Sequence, residues 1–424
     1  MKLAIINGRV IDPSQNFDAI KNVLIEDGII RDVTSSKKLD GQYKIIDAKG
    51  AIVAPGFIDC HTHLREPGFE YREDIESGSR SAAAGGFTTI LCMANTNPVN
   101  DNASMTQMIV KRAKEVGLIN IYPIGAVSKK LEGKELAEIG EMVSSGCVAI
   151  SDDGMPVMNG NLMRHAFEYA KSFGVPVITH AEDLTLSCGG AMNEGKTSVA
   201  LGLKGIPAAA EESMIQRDIL LAKLTGHHLH VAHVSTKRGI EMIRQAKKEK
   251  ISVTCEVTPH HLTLTDVTCS HYNANAKVNP PLRTEADCQA LIQALLDGTA
   301  DCIATDHAPH SQDEKQVGFG AANCGLIGME TALAVCLKLV HEKKITLKRL
   351  IESLTIGPAK IFGLKAGSLK KGSPADLTIF DPNKAVTITA ETFHSKSRNT
   401  PWEGIKLKGK VLFTVCNGKV AYES

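Results

Sequence analysis

The sequence predicts an α/β protein, a TIM-type (β/α)8 barrel carrying a small β-sandwich domain built from both chain termini. Three observations predict it. Apolar runs of strand length alternate with helical periods through the middle of the chain. Turn-punctuated short strands occupy both ends. Chemically active residues recur where the middle strands end, which is where such a barrel places its chemistry.

The ends come first. Residues 3–6 lead into Asn7-Gly8 and then Val10-Ile11; residues 23–25 lead into Glu26-Asp27-Gly28 and then Ile29-Ile30. An apolar run, a Gly-containing turn and a second run is the pattern of a hairpin. The C-terminal stretch repeats it, with residues 376–380 before Asp381-Pro382 and 411–415 before Asn417-Gly418. Neither end alone has enough strands for a stable sheet. Residues 1–55 and 365–424 are therefore expected to make one composite β domain, leaving 56–364 for the barrel.

Within the barrel, the strand-length apolar runs are 87–93, 147–150, 175–178, 230–234, 251–254 and 302–304. Buried parallel strands have this near-continuous apolar character. Helical periods lie between them, among them 211–224, 238–248 and 286–296. Roughly eight strand–helix units fit between Ile52 and about Val340. No GxGxxG follows the first strand, which argues against an open dinucleotide-binding sheet.

Composition narrows the class. A chain of 424 residues exceeds what one core usually supports, in keeping with a large and a small domain. Hydrophobic residues are 43% and charged residues 22%, and the net charge is +1, which suggests neither a nucleic-acid nor a membrane partner. No secretory signal or membrane-length apolar stretch is read, so the default location is the cytoplasm. The 11 Cys lack CxxC pairs and several sit in apolar runs, the pattern of buried reduced thiols.

The polar residues at the strand ends form a coherent set. Asp59-Cys60-His61-Thr62-His63 ends the first barrel strand, and residues two apart on a strand face the same way, so His61 and His63 project together. Asp152-Asp153-Gly154 ends the fourth strand, His180 the fifth, His233 the sixth and Asp306 the eighth. A lone His at a strand end is more often a hydrogen-bonded surface residue, and that reading is kept for His227, His228 and His230. Four His and two Asp converging from separate strands are a different matter. Burying so many polar groups is costly without an ion, and imidazole with carboxylate is the donor set of zinc-type metals. Around this set lie Arg65, suited to a bidentate grip on a substrate carboxylate, with Asn95 and His310 as further donors. Taken singly, Arg65 reads as a surface salt bridge and Asn95 as a turn residue. The polar, Gly-containing segment from His310 to Gly325 is equally a lid or a surface loop.

Together these segments resemble the class I bacterial dihydroorotases of the amidohydrolase superfamily. The resemblance runs in order through residues 55–68 (the His61/His63/Arg65 segment), Ala84-Gly85-Gly86-Phe87-Thr88-Thr89, Asn95-Thr96-Asn97-Pro98, Ser151-Asp152-Asp153-Gly154, the segment at His233, Thr258-Pro259-His260-His261 and Thr305-Asp306-His307-Ala308-Pro309-His310. It implies a centre of one or two zinc ions. His61 and His63 would hold one ion and His180 and His233 the other, with Asp153 shared and Asp306 both a ligand and the general base and acid. It implies that Arg65, Asn95 and His310 hold the substrate carboxylate, that His63 is also a substrate contact, and that Asn279, Cys324 and Gly325 contact the ring. Hydantoinases and allantoinases commonly carry a carboxylated lysine at the end of strand four; here Asp153 stands there. The implied activity is reversible hydrolysis of (S)-dihydroorotate to N-carbamoyl-L-aspartate in pyrimidine biosynthesis. The rival readings are another cyclic amidase, an allantoinase or dihydropyrimidinase, and a non-catalytic partner of aspartate transcarbamoylase. A homodimer is the default assembly, and some members of the family bind aspartate transcarbamoylase.

Overall fold

Eight parallel strands close into a ring in the middle of the chain. A computed structural model describes residues 2–36 and 42–424. The strands are β1 (Phe57–Thr62), β2 (Phe87–Cys92), β3 (Asn120–Pro123), β4 (Ile150–Ser151), β5 (Val177–Thr179), β6 (Leu229–Val231), β7 (Val253–Val257) and β8 (Cys302–Ile303). Each pairs in parallel with the next. A bridge from Gly125 to Ile150 links β3 to β4, and one from Thr62 to His307 returns β8 to β1. Buried Asp59 helps that closure: its carboxylate accepts from the Thr305 backbone N–H at 3.0 Å and the Thr305 hydroxyl at 2.6 Å.

The principal helices between and after these strands are α1 (Ile75–Ala84), α2 (Ala103–Val116), α3 (Ile139–Ser145), α4 (Gly160–Lys171), α5 (Ala208–Thr225), α6 (Lys237–Lys248), α7 (Glu285–Asp297) and α8 (Ala332–His341). Their apolar faces pack on the outside of the strands in one large cluster, with Ile75, Ile109, Met142, Phe167, Ile215, Ile243, Leu291 and Cys336 all buried. A smaller set, including Leu91, Ile124, Ile178 and Ala304, fills the barrel interior. The barrel is thus a packed core.

The expected helical periods at 211–224, 238–248 and 286–296 fall on α5, α6 and α7. Strand ends moved more. The apolar run 251–254 became a strand at Val253–Val257, and 147–150 reduced to Ile150–Ser151. The third strand, Asn120–Pro123, was not distinguished in the sequence because three of its four residues are only half-buried and Asn-Ile-Tyr-Pro does not make an apolar run.

Both termini join one hydrogen-bonded sheet of eight strands. Its continuous order is Lys419–Glu423, Lys406–Cys416, Leu377–Thr387, Ile52–Pro55, Lys2–Asp12, Phe17–Glu26 and Ile29–Thr34, with Lys44–Asp47 branching off Lys2–Asp12. Residues 1 and 37–41 of the terminal stretch lie outside the described residues. The turns at Asp27-Gly28 and Asn417-Gly418 occur as expected, each with two successive positive φ angles, as the tight hairpin turn requires. The expected turn at Asn7-Gly8 does not. The strand runs straight through it, and the register shifts between Ile5 and Gly8 while Asn7 adopts φ 58°. Asn-Gly tolerates positive φ, and a β-bulge uses that tolerance as readily as a hairpin does. Asp381-Pro382 likewise lies inside the strand Leu377–Thr387, at a second register shift.

The sheet seats on the barrel through aromatic and polar contacts. Phe57 on β1 meets Phe87 on β2 and Phe380 on the terminal sheet, both at 5.9 Å between ring centroids, pairs that contribute about 0.5–1.5 kcal/mol each beyond their buried area. The Thr414 hydroxyl donates to the Ala83 carbonyl at 2.6 Å, tying the sheet to the end of α1.

Candidate active site

At the C-terminal mouth of the barrel six side chains converge from five strand ends. His61 lies on β1 and His63 just beyond it; Asp153, His180, His233 and Asp306 follow β4, β5, β6 and β8. All six are buried. His63 Nε2 lies 3.1 Å from Asp306 Oδ1 and 3.4 Å from Asp153 Oδ2. His61 Nε2 lies 3.4 Å from both Asp153 Oδ1 and Asp306 Oδ1. His180 Nδ1 and His233 Nε2 face each other at 2.9 Å, and each is 3.4 Å from Asp153 Oδ1. Two triads have donor atoms close enough to share an ion: His61, His63 and Asp306, and His61, Asp153 and His233.

Several of these atoms lack hydrogen-bond partners. His61 Nε2, Asp153 Oδ1 and His233 Nδ1 are buried without one. Buried polar atoms are rarely left unpaired, and the two that face the cluster, His61 Nε2 and Asp153 Oδ1, belong to a His/Asp donor set that suits a divalent cation. Asp306 and His233 also take positive φ, 49° and 31°, conformations that non-glycine residues seldom adopt and that cluster at functional sites.

The charges follow from this crowding. Burial drives the Asp306 carboxyl up, but the imidazoles of His61 and His63 reverse that and hold it at about 2. The same contest, with His61, His180 and His233 as the stabilising groups, holds Asp153 well below the usual carboxylate range. Both are carboxylates at neutral pH. Asp152, the neighbour of Asp153, has a different job. It accepts from the backbone N–H groups of Val127 and Ser128, at 2.7 and 3.0 Å, and from the Ser128 hydroxyl, anchoring the loop after β3.

A cavity of about 480 Å³ opens beside the cluster, within the size range of small-molecule sites. Every residue expected to touch substrate lines it: His63, Arg65, Asn95, Asn279, His310, and the pair Cys324 and Gly325. Arg65 is buried, and burial together with the nearby Arg72 guanidinium lowers it to about 10, so it stays a cation at neutral pH. Its Nη2 lies 3.4 Å from His310 Nε2. Burial, then Arg65, pushes His310 down to about 3. Asn95 Oδ1 lies 2.9 Å from His63 Nδ1. Asn279 donates to Glu182 Oε2 at 2.8 Å, and that same oxygen lies 3.1 Å from His180 Nε2. Gly325 has φ 133°, and a Cβ there would stand 2.7 Å from the Ala308 Cβ and 3.2 Å from the His310 ring, so only glycine fits.

The stretch 311–325 closes one wall and is fastened along its length. Lys315 Nζ donates to the Asn323 and Gly325 carbonyls at 2.8 and 3.0 Å, and Lys277 Nζ to that of Gly320 at 2.9 Å. Glu314 accepts from Arg72 Nε at 2.9 Å and from the Tyr71 hydroxyl at 3.0 Å, and Phe319 is buried.

Three features escaped the sequence reading. Glu256 is 1% exposed and bonds His61. Glu182 buttresses His180. His260 is buried with neither ring nitrogen partnered. Glu256 had a readable signal, since a lone carboxylate in a buried apolar strand is costly unless paired. It was passed over because the seventh strand was read as ending before it. His227, His228 and His230 are hydrogen-bonded as expected, to the Val175 carbonyl, the Thr254 hydroxyl and the Thr254/Glu256 pair, but His227 and His230 are buried rather than on the surface, His230 because it points into the barrel interior beside Glu256.

The chain matches the model of the amidohydrolase family over residues 52–421, the class that a barrel with this His/Asp cluster already indicates. It is 50% identical over 423 residues to a dihydroorotase of Geobacter metallireducens, covering 100% of both chains. To a dihydroorotase of Anaeromyxobacter dehalogenans it is also 50% identical over 423 residues, covering 99% of this chain and 98% of the relative. Among solved structures, the L-hydantoinase (dihydropyrimidinase) from Arthrobacter aurescens superimposes with a TM-score of 0.89 at 28% identity, covering 99% of this chain and 96% of that one. The chain belongs to the dihydroorotases of the amidohydrolase family. Among the described residues, no helix is long and apolar enough to cross a membrane.

Proposed function

We propose that this protein is a zinc-dependent dihydroorotase, which opens (S)-dihydroorotate to N-carbamoyl-L-aspartate and closes the ring in the reverse direction, as de novo pyrimidine (UMP) biosynthesis requires. One observation carries the reading: a buried cationic and polar group, Arg65 with His310 and Asn95, lines the same cavity as the His/Asp cluster. A neutral cyclic amide needs no such group, whereas a ring bearing a carboxylate does. This separates the reading from the hydantoinase alternative suggested by the fold neighbour.

His61, His63 and Asp306 would hold one ion and His180 and His233 a second, with Asp153 shared; the partnerless atoms of the cluster support this assignment. An ion held by these residues would supply a lowered water pKa and polarisation of the substrate carbonyl. Asp306, ionised at neutral pH, takes a proton from the attacking water as the water oxygen bonds to the ring carbonyl carbon, and delivers it to the ring nitrogen as the C–N bond breaks. Arg65, Asn95 and His310 orient the substrate carboxylate, and such orientation lowers the barrier by holding the reacting carbonyl in place. His63, paired with Asn95, borders that group. Asn279, Cys324 and Gly325 line the same cavity and would contact the ring.

The same reading takes residues 1–55 and 365–424 as one β domain on a barrel of 56–364. It takes the branch at Lys2–Asp12 as the fold line of a sandwich, a reading that the separate apolar cluster of Leu3, Val23, Ile46 and Leu377 supports. It also takes the enzyme as a cytoplasmic homodimer, with aspartate transcarbamoylase as a candidate partner.

The test is hydrolysis of dihydroorotate by purified protein of measured zinc content, with allantoin and dihydrouracil alongside. Turnover of dihydroorotate alone, lost on chelation and restored by zinc, is expected. Turnover of dihydrouracil or allantoin instead would make the protein a different cyclic amidase. No turnover with zinc bound would favour the non-catalytic partner.

A further inference from the structure

We infer that Glu256, a residue of the barrel interior, is the positioning residue that aims two of the metal-centre histidines. The inference rests on the metal reading above. One carboxylate oxygen, Oε1, lies 2.6 Å from His61 Nδ1 and accepts the His233 backbone N–H at 3.2 Å. The other, Oε2, lies 3.1 Å from His230 Nε2 and accepts the Cys60 thiol at 3.2 Å. A carboxylate only accepts, so His61 carries its proton on Nδ1. Its Nε2, the nitrogen left to bind an ion, faces Asp153 and Asp306, 3.4 Å away, with no hydrogen-bond partner. The bond to the His233 backbone acts at a residue with φ 31°, an unfavourable conformation whose result is to turn His233 Nε2 towards Asp153. One buried oxygen therefore sets the tautomer and ring of one ligand and the backbone of another. His230 and Cys60 hold the opposite edge of the carboxylate so that it cannot rotate away. Fixing a ligand histidine through its far nitrogen also makes the near nitrogen a better donor.

The same four side chains admit a rival reading. Cys60, His230, Glu256 and Cys302 offer ligand atoms within 4.8 Å of one another, a set of residue types that binds structural zinc. The contacts favour the positioning role. Each oxygen of Glu256 is already met by two groups that donate as protonated species, and an ion there would draw the carboxylate away from His61.

Zinc affinity measured by chelator competition decides between them. Glu256→Gln, which keeps an acceptor oxygen for His61, is expected to weaken binding by about tenfold, and Glu256→Ala by about a hundredfold. Cys302→Ala is expected to keep wild-type affinity. If the Ala variant does not fold, the Gln variant carries the test. Wild-type affinity in Glu256→Gln with only a lowered Tm would reduce Glu256 to a structural role and overturn the inference. So would a thiolate-to-cobalt charge-transfer band in the cobalt-loaded wild type that Cys302→Ala abolishes. A wild-type protein that binds no divalent ion would overturn the metal reading itself, and this inference with it.

Discussion

Asp306 and Arg65 divide the work of the cavity at the scale of single residues. Asp306 sits beside His61 and His63, which keep it ionised, and it is the carboxylate placed to move a proton. Asp306→Ala is expected to lower kcat by ~10²–10⁴-fold, the usual contribution of a general acid–base group, while thermal unfolding stays cooperative. Near-wild-type kcat would remove that role. Arg65 is buried at the cavity wall and remains a cation. Arg65→Met is expected to lower kcat/KM for dihydroorotate by ~10–100-fold, corresponding to the ~1.5–3 kcal/mol of a charged hydrogen bond, with zinc content unchanged. An equal loss on uncharged cyclic amides would show that Arg65 does not grip a carboxylate. The twelve candidate site residues were all named from the sequence, the metal-ligand set by its strand-end positions, and Asn279, Cys324 and Gly325 through the family resemblance. Their supports were not. Glu256 carried a local signal as a carboxylate in an apolar strand, but that its partner is His61, and that Glu182 pairs with His180, are matters of distance that no local pattern encodes.

At the scale of elements, the helices were the most readable parts because periodicity is local. The structure adds the caps: the Asn102 side chain accepts the Met105 backbone N–H at 3.2 Å at the start of α2. Asn102→Ala is expected to destabilise the protein by about 1 kcal/mol, as loss of an N-cap does, without changing the zinc-loaded kcat. Chemical denaturation with an unchanged midpoint would show the cap to be redundant. Strands were harder. The barrel strands β4, β5, β6 and β8 are only two or three residues long, so their limits are set by pairing with neighbours rather than by apolar runs. Asn7-Gly8 makes the same point, since bulge and hairpin demand the same backbone and only the partner strand decides between them. The stretch 311–325, open between lid and loop on composition, is tied down by Lys315, Lys277 and Glu314.

Across the whole molecule, the terminal sheet and the barrel meet in contacts that neither could make alone. Glu330, just before α8, accepts the backbone N–H groups of His394 and Ser395, at 2.9 and 3.2 Å, and so fastens the segment leading to the last strands. Burial raises its carboxyl from 4.5 to about 7, more than those hydrogen bonds lower it. In that interval the folded protein keeps a proton that the unfolded chain has released. This group's contribution to stability therefore falls as pH rises from 4.5 towards 7, and stays lower above. Glu330→Gln keeps the acceptor oxygen and cannot ionise. Its Tm is expected to fall less than that of the wild type between about pH 5 and about pH 8. Parallel Tm profiles for the two proteins would refute the coupling.

The order of strand–helix units, the residues at the strand ends and the family they resemble were determined by the sequence alone, because periodicity, caps and motifs act over a few residues. Tertiary structure decided what depends on residues distant in the chain. It closed β8 on β1, paired the strand at 377–387 with that at 52–55, and separated Asp153 from its neighbour Asp152. It also brought Glu256 from β7 against His61 on β1. The reason is physical: a buried charge is tolerated only where folding brings it partners, and those partners come from other strands.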